Sequence, residues 1–218
     1  MKSPYFYSMK LLLSLLSFVI VSQYASAQRL DLFNSHGTEK TPYSKTCSFY
    51  DFLPEGNSAD STIDRQAYYF LYFELPFDVS EIGVRLISPV PSYSFAEAGD
   101  KVTDAFENNK KSTEYFNPWI ALEKRVTTDS TGTELPFPIW QIFAKNDDSE
   151  ELISQPSGSN SNSLVRVYFE TYTSGIYRIR FKASQKRIAE GSYLVQIGTT
   201  PGVKRLKVSR TIKGLAEE

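Results

Sequence analysis

Apolar and polar positions alternate most cleanly near the end of the chain. Tyr177, Ile179, Phe181 and Ala183 are separated by Arg178, Arg180 and Lys182, a period of two that predicts a strand with one inward and one outward face. Tyr193, Val195 and Ile197 repeat around Leu194 and Gln196, bracketed by Gly191 and Gly198. Val165, Val167 and Phe169 repeat around Arg166, Tyr168 and Glu170. Between this last run and Tyr177, Thr173-Ser174-Gly175 has the length and the glycine of a hairpin turn. Earlier in the chain, Ile82, Val84 and Leu86 alternate with Gly83 and Arg85 as far as Ser88-Pro89. The run Ala67 to Phe73 differs, being apolar or aromatic at every position, which predicts a central strand covered on both sides. Pro76 stops it.

The 3.6-residue period is scarce. Val102 and Phe106 share a face of Lys101 to Asn108, a short helix for which Asp100 is the expected N-cap. Trp119 to Leu122 opens another extended run. Phe137 to Ala144, flanked by Pro136 and Pro138, reads as an edge strand because proline removes a ladder donor. Between Asn146 and Ser163 an Asn-Asp-Asp-Ser-Glu-Glu string gives way to Ser, Asn and Gly, a composition that predicts a long surface loop. Residues 28 to 65 hold no sustained period and read as a polar lead-in with room for one edge strand. Many short strands, frequent turn signals and one or two short helices predict a mainly β chain, an antiparallel β-sandwich.

The first 27 residues have a separate logic. Lys2 and Lys10 precede an apolar run from Leu11 to Val21, and Ala25-Ser26-Ala27 supplies small residues for cleavage before Gln28. That run is too short for a bilayer span of about 20 residues. The expected organisation is a signal peptide at 1–27, a lead-in at 28–65, a β-sandwich at 66–203 and a basic tail at 204–218. The expected location is outside the cytoplasm: secreted, periplasmic or on the outer surface.

Composition then removes options. Removing the 27-residue leader from 218 leaves 191, enough to bury one core without covalent staples. With Cys47 as the only cysteine, no disulfide forms within one chain, and a buried apolar role is the simpler reading of that thiol. The net charge of −1 disfavours nucleic acid, which calls for a basic domain. Fourteen tyrosines and fifteen phenylalanines suit pleated, half-buried surfaces.

Two blocks of sequence resemble a known family. The first runs through Gln66-Ala67-Tyr68-Tyr69-Phe70-Leu71-Tyr72, Ile82 to Pro89, Val102-Thr103-Asp104-Ala105-Phe106 and Trp119-Ile120. The second holds Asn162-Ser163-Leu164, Gly175 to Ile179 and Pro201-Gly202-Val203. In order and spacing they resemble the major surface lipoproteins of pathogenic leptospires, which have marine-bacterial relatives. The resemblance implies a jelly-roll sandwich, a surface or secreted location, adhesion to extracellular-matrix proteins and a calcium site. The family's acyl anchor sits on a cysteine at the cleavage site, whereas Gln28 stands here, so no lipid anchor is expected. The family's calcium ligands fall on Asn117-Pro118, on Asp147 and Asp148, and on Ser161, of which the proline offers no side-chain oxygen and the serine replaces a tyrosine. Weak calcium binding is the most that this set implies.

Candidate chemistry is otherwise thin. His36 is the only histidine, which excludes zinc sites built from His and Cys. No Gly-x-Ser-x-Gly elbow or phosphate loop occurs. Glu74, Asp78 and Glu81 cluster near a strand end and could serve a glycosidase, although 25 acidic residues make such clusters common by chance. Asp147, Asp148, Glu150 and Glu151 read first as a solvated acidic loop and second as a calcium loop. Lys204, Arg205, Lys207, Arg210 and Lys213 form a basic tail, solvated or facing an acidic partner, with Leu206 and Val208 able to add an edge strand. The expected function is therefore a non-enzymatic, exported binding protein of adhesin type for host or matrix proteins, with homodimerisation left open. A carbohydrate-binding module is the rival, and a glycoside hydrolase comes third. Exposed Trp119 or Trp140 beside other aromatics would favour sugar, and buried indoles would favour a protein partner.

Overall fold

A computed structural model describes residues 45–92, 94–147, 161–167 and 172–217, without the side chains of residues 45, 146, 147 and 161–167. The signal peptide, Gln28, His36, Asp148, Glu150, Glu151 and Phe169 lie outside the described residues. Residues Tyr43–Glu218 form one compact unit. Its strands are β1 (Lys45–Leu53), β2 (Ser61–Ile63), β3 (Gln66–Leu75), β4 (Glu81–Ser88), β5 (Lys101–Val102), β6 (Pro118–Thr128), β7 (Glu134–Asp147), β8 (Ser161–Val167), β9 (Gly175–Ala183), β10 (Gly191–Thr200) and β11 (Lys207–Ser209). Two five-residue helices, α1 (Asp104–Asn108) and α2 (Ile212–Ala216), complete the described elements.

The strands form two sheets. One has the order β5-β1-β10-β4-β8, and the other β11-β3-β9-β6-β7, with β2 added on β3. All pairings are antiparallel except that of β1 with the two-residue β5. The alternation of the sequence is what closes the space between the sheets. Phe49, Val84, Leu86, Tyr193, Val195 and Ile197 from the first sheet meet Tyr69, Leu71, Phe73, Ile120, Leu122, Ile179 and Phe181 from the second in one core. Phe181 spans the gap, with its ring centroid 5.1 Å from Tyr193 and 6.3 Å from Phe116. Truncating so buried a ring would cost about 3–5 kcal/mol.

The outer face of the first sheet is covered. Tyr50, Ile87 and Leu194 pack there against Val90, Val102 and Phe106, so α1 and its flanking loop form a lid on that side. The helix begins one turn later than the sequence suggests. Thr103 is its N-cap and accepts the Phe106 N–H at 3.2 Å, while its hydroxyl donates to Asp51 at 2.6 Å. Asp100 instead accepts the N–H groups of Ser48 and Glu97, which ties the loop to β1. Lys101 and Val102 are strand, not helix.

Three further expectations change. The Thr173-Ser174-Gly175 segment does not close a hairpin: β8 pairs with β4 and β9 with β3 and β6, so this segment carries the chain from one sheet to the other. The polar lead-in contains β1, which lies between β5 and β10 and buries Cys47, Phe49, Tyr50 and Leu53. The basic C-terminal stretch is not a solvated tail, and the edge strand that Leu206 and Val208 allow is present in it. β11 pairs with β3, and Val203, Leu206, Val208 and Leu215 are buried. Arg210 donates to the Tyr193 hydroxyl at 3.0 Å and to Asp60 at 2.9 Å, and Tyr193 in turn donates to Asp51 at 2.6 Å. As the prolines predict, β7 is an edge strand, and Phe137, Ile139 and Ile142 stand exposed along it. At Gly191, where β10 starts, a Cβ would lie 2.2 Å from the carbonyl oxygen of Glu114, so only glycine lets the two backbones pass.

Candidate functional site

β3 alternates buried with half-buried residues along its whole length, so it is covered on one face and not on both. Its half-buried side presents Tyr68, Phe70 and Tyr72. Directly opposite residues on paired strands share a face, and the register sets Tyr72 against Arg178, and Phe70 against Arg180. On the far side of β9, Arg178 faces Glu123, Arg180 faces Ala121 and Lys182 faces Trp119. Trp140 joins from β7 opposite Arg125. The outer face of the second sheet is thus a lattice in which a row of cations on β9 runs between aromatic rows on β3 and on β6 and β7.

The contacts are close. The Arg178 guanidinium lies 4.3 Å from the Phe70 ring centroid and 4.1 Å from that of Trp140, between the two rings. Arg180 stands 5.1 Å from Tyr68 and 5.6 Å from Trp119, and Lys182 at 5.7 and 5.6 Å from the same pair. Such contacts hold a cation by the negative face of the ring. Tyr68 and Trp119 meet edge to face at 6.1 Å, and Tyr72 and Trp140 meet at 5.7 Å.

One carboxylate organises the row. Glu123 is 2% exposed, accepts Arg178 Nε at 2.5 Å and lies 3.0 Å from Arg180 Nε. The second approach is an ion pair whose angle falls short of a hydrogen bond, so Arg180 Nε is buried without one. Two of the three cations of the row share this one buried anion, which leaves the row positive. Burial raises the Tyr72 hydroxyl above its ordinary 10.0 despite the opposing pull of Arg178, so it remains a neutral donor and acceptor.

The residues singled out in the sequence are dispersed. Glu74 is in the second sheet and Glu81 in the first, and Asp78 between them accepts the Ser174 N–H at 2.7 Å. Among the described residues no three His, Cys, Asp or Glu side chains are grouped to hold a metal. Asn117 does have a buried side-chain oxygen without a hydrogen bond, and the backbone of Asp147 stands opposite Trp119, two residues on. Of the calcium set that the resemblance implies, only Asn117 has a described side-chain oxygen, and the side chains of Asp147, Asp148 and Ser161 lie outside the described residues; one neutral oxygen alone is fewer than the roughly six to eight that calcium takes. Trp119 and Trp140 are neither exposed nor buried, so they meet neither condition set for sugar or protein. Sequence reasoning missed the lattice itself. Its signal was the period-two spacing of Tyr68, Phe70 and Tyr72 matched by that of Arg178, Arg180 and Lys182, which only the strand register brings together.

Among known proteins, residues 37–206 match the family model Lipl32, described as a surface lipoprotein of the Spirochaetales order. No curated protein matches the chain.

Proposed function

Because this chain belongs to the Lipl32 family of spirochaetal surface lipoproteins, we propose that it is an exported surface-binding protein of adhesin type that engages its partner through the outer face of the second sheet. The observation that carries this reading is the contrast between the two sheets. The first has its outer apolar residues capped by α1, whereas the second leaves five aromatic rings and three cations without a covering element among the described residues. Aromatic and arginine side chains are those that dominate interface energetics. An array of matrix proteins and glycans, probed with the exported protein and with Lys182→Glu, tests the reading. Ligand signals that survive the substitution unchanged would remove this face from it.

The fold reading extends in the same way. Four antiparallel pairs, β1 with β10, β3 with β9, β4 with β8 and β6 with β7, nest one inside the next along the chain. That nesting supports a jelly roll, a long ribbon of paired strands wrapped into two sheets. The leader ending at Ala27 supports export. Membership in a lipoprotein family favours a lipid anchor, against the unlipidated chain that Gln28 leads us to expect. Cys47, the only cysteine, is 3% exposed within β1, so acylation there would require β1 to leave its sheet. The intact mass of exported protein separates the two: that of the bare polypeptide from Gln28 would bear out the expectation from the sequence, and a mass higher by fatty acyl groups would bear out the anchor of the family.

The carbohydrate-module alternative fits less well for neutral sugars. The Trp140 face that a pyranose would stack on is already occupied by a guanidinium at 4.1 Å.

A further inference from the structure

We infer that the cation row on β9 is a receptor for a sulfated, linear polysaccharide, an inference that rests on the sheet-face reading above and names its ligand. Arg178, Arg180 and Lys182 point to one side of a single strand, and at about 3.4 Å per residue they span about 14 Å in a straight line. A linear polyanion can lie along such a row and meet all three charges at once. The guanidinium is a planar fork whose paired donors match the oxygens of a sulfate or carboxylate. Arg178 is held between Phe70 and Trp140, and its Nε is anchored on Glu123, so its position is fixed before a ligand arrives. Little rotamer entropy is then lost on binding.

The same geometry argues against other anionic partners. The arginine side chains are only 13% and 17% exposed, recessed among the rings. A single flexible chain can follow such a recess, whereas a bilayer surface is better met by long lysines that extend outward. An acidic peptide typically docks by adding a strand at a sheet edge. The row lies mid-sheet, between β3 and β6, where the backbone groups are already paired. The flanking rings Tyr68, Phe70, Tyr72, Trp119 and Trp140 offer edges and partial faces against which the C–H surfaces of sugar rings can rest.

Glu123 is the internal competitor for this ligand, which gives the proposal a test of opposite signs. Binding of heparin to the exported protein is measured by calorimetry beside N-desulfated and fully desulfated heparin, hyaluronan and vesicles of anionic phospholipid. Heparin should bind and weaken as salt is raised, and fully desulfated chains should not bind. Lys182→Glu, at a side chain whose contacts among the described residues are with the Tyr68 and Trp119 rings, should weaken heparin at least tenfold, about what the loss of one charge-assisted contact produces. Glu123→Gln should tighten it, provided circular dichroism shows the variant folded at the temperature used. Lys110→Glu, in the turn that follows α1 on the other side of the molecule, should change nothing. Absence of heparin binding, equal binding of desulfated chains or vesicles, or indifference to Lys182→Glu would each overturn the inference. If a matrix protein is bound and lost with Lys182→Glu while heparin is ignored, the sheet-face reading survives and only the ligand assignment falls. If the array ligands ignore Lys182→Glu as well, both fall.

Discussion

Replacing Glu123 by glutamine tests whether the cationic lattice is held together as described. The carboxylate is 2% exposed and is shared by Arg178 and Arg180. The substitution keeps the shape and removes the charge, which leaves two guanidinium groups without a counterion. Removing one partner of a fully buried pair costs about 3–5 kcal/mol. Here the arginines keep 13% and 17% of their surface in solvent and retain their ring contacts, so about 2–3 kcal/mol is the better figure. For a domain of this size each kcal/mol moves the midpoint by about 2–4 °C, so the melt should shift down by about 4–12 °C. Circular dichroism melts of the two proteins at neutral pH, with urea titrations for the free energy, measure it. Arg178→Gln should cost more than Arg180→Gln, because only Arg178 makes a full hydrogen bond to the carboxylate. A shift under about 2 °C for Glu123→Gln, or the reverse order for the arginines, would refute the reasoning.

Arg210→Leu should destabilise the protein by about 2–4 kcal/mol, since it strips Asp60 and the Tyr193–Asp51 pair of their cation, and a urea titration would reveal it. A change under about 0.5 kcal/mol, typical of a free surface position, would mean that the C-terminal stretch is a tail after all. In the β6–β7 turn, the hydroxyl and N–H of Thr131 and the N–H of Thr133 hold the Asp129 carboxyl below its ordinary 3.8. Its contribution is therefore complete above pH 3.8 and lost as the pH falls through the lower folded value. NMR titration should find that lower value and its partial return in Thr131→Val, while a value at or above 3.8 would contradict the turn geometry. Calcium added to the exported protein should give no isotherm tighter than about millimolar, the weak end of the range for calcium modules. A micromolar isotherm abolished by Asp147→Ala would show a complete cage.

Much of the fold was legible because one-sided burial writes itself into the chain with period two. The run from Tyr177 to Ala183 gave a strand and its inward face directly, and the prolines beside Phe137 marked an edge. β3 was misjudged because aromatic residues look alike whether a layer of protein or a layer of cations lies over them. β1 was obscured because Ser48 and Asp51 interrupt its apolar positions, yet both are buried: the Ser48 backbone N–H donates to Asp100, and the Asp51 carboxylate accepts from Thr103 and Tyr193, all distant in sequence. Thr173-Ser174-Gly175 carried a hairpin signature that local chemistry cannot distinguish from a passage between sheets. The lattice was out of reach for a related reason. Its members come from four strands spread between Tyr68 and Lys182, and no local window contains the register that aligns them.

Both tryptophans of the chain, Trp119 and Trp140, lie on the face proposed to bind, so tryptophan emission reports on that face alone. The most direct measurement is a fluorescence titration of the exported protein, excited selectively at tryptophan, with whichever ligand the array or the heparin assay identifies. A saturable change in intensity or wavelength, tracking the binding curve and lost in Lys182→Glu, is the predicted result. A ligand that saturates the protein by calorimetry while leaving both tryptophans undisturbed, and that binds Lys182→Glu equally well, would place the binding surface elsewhere.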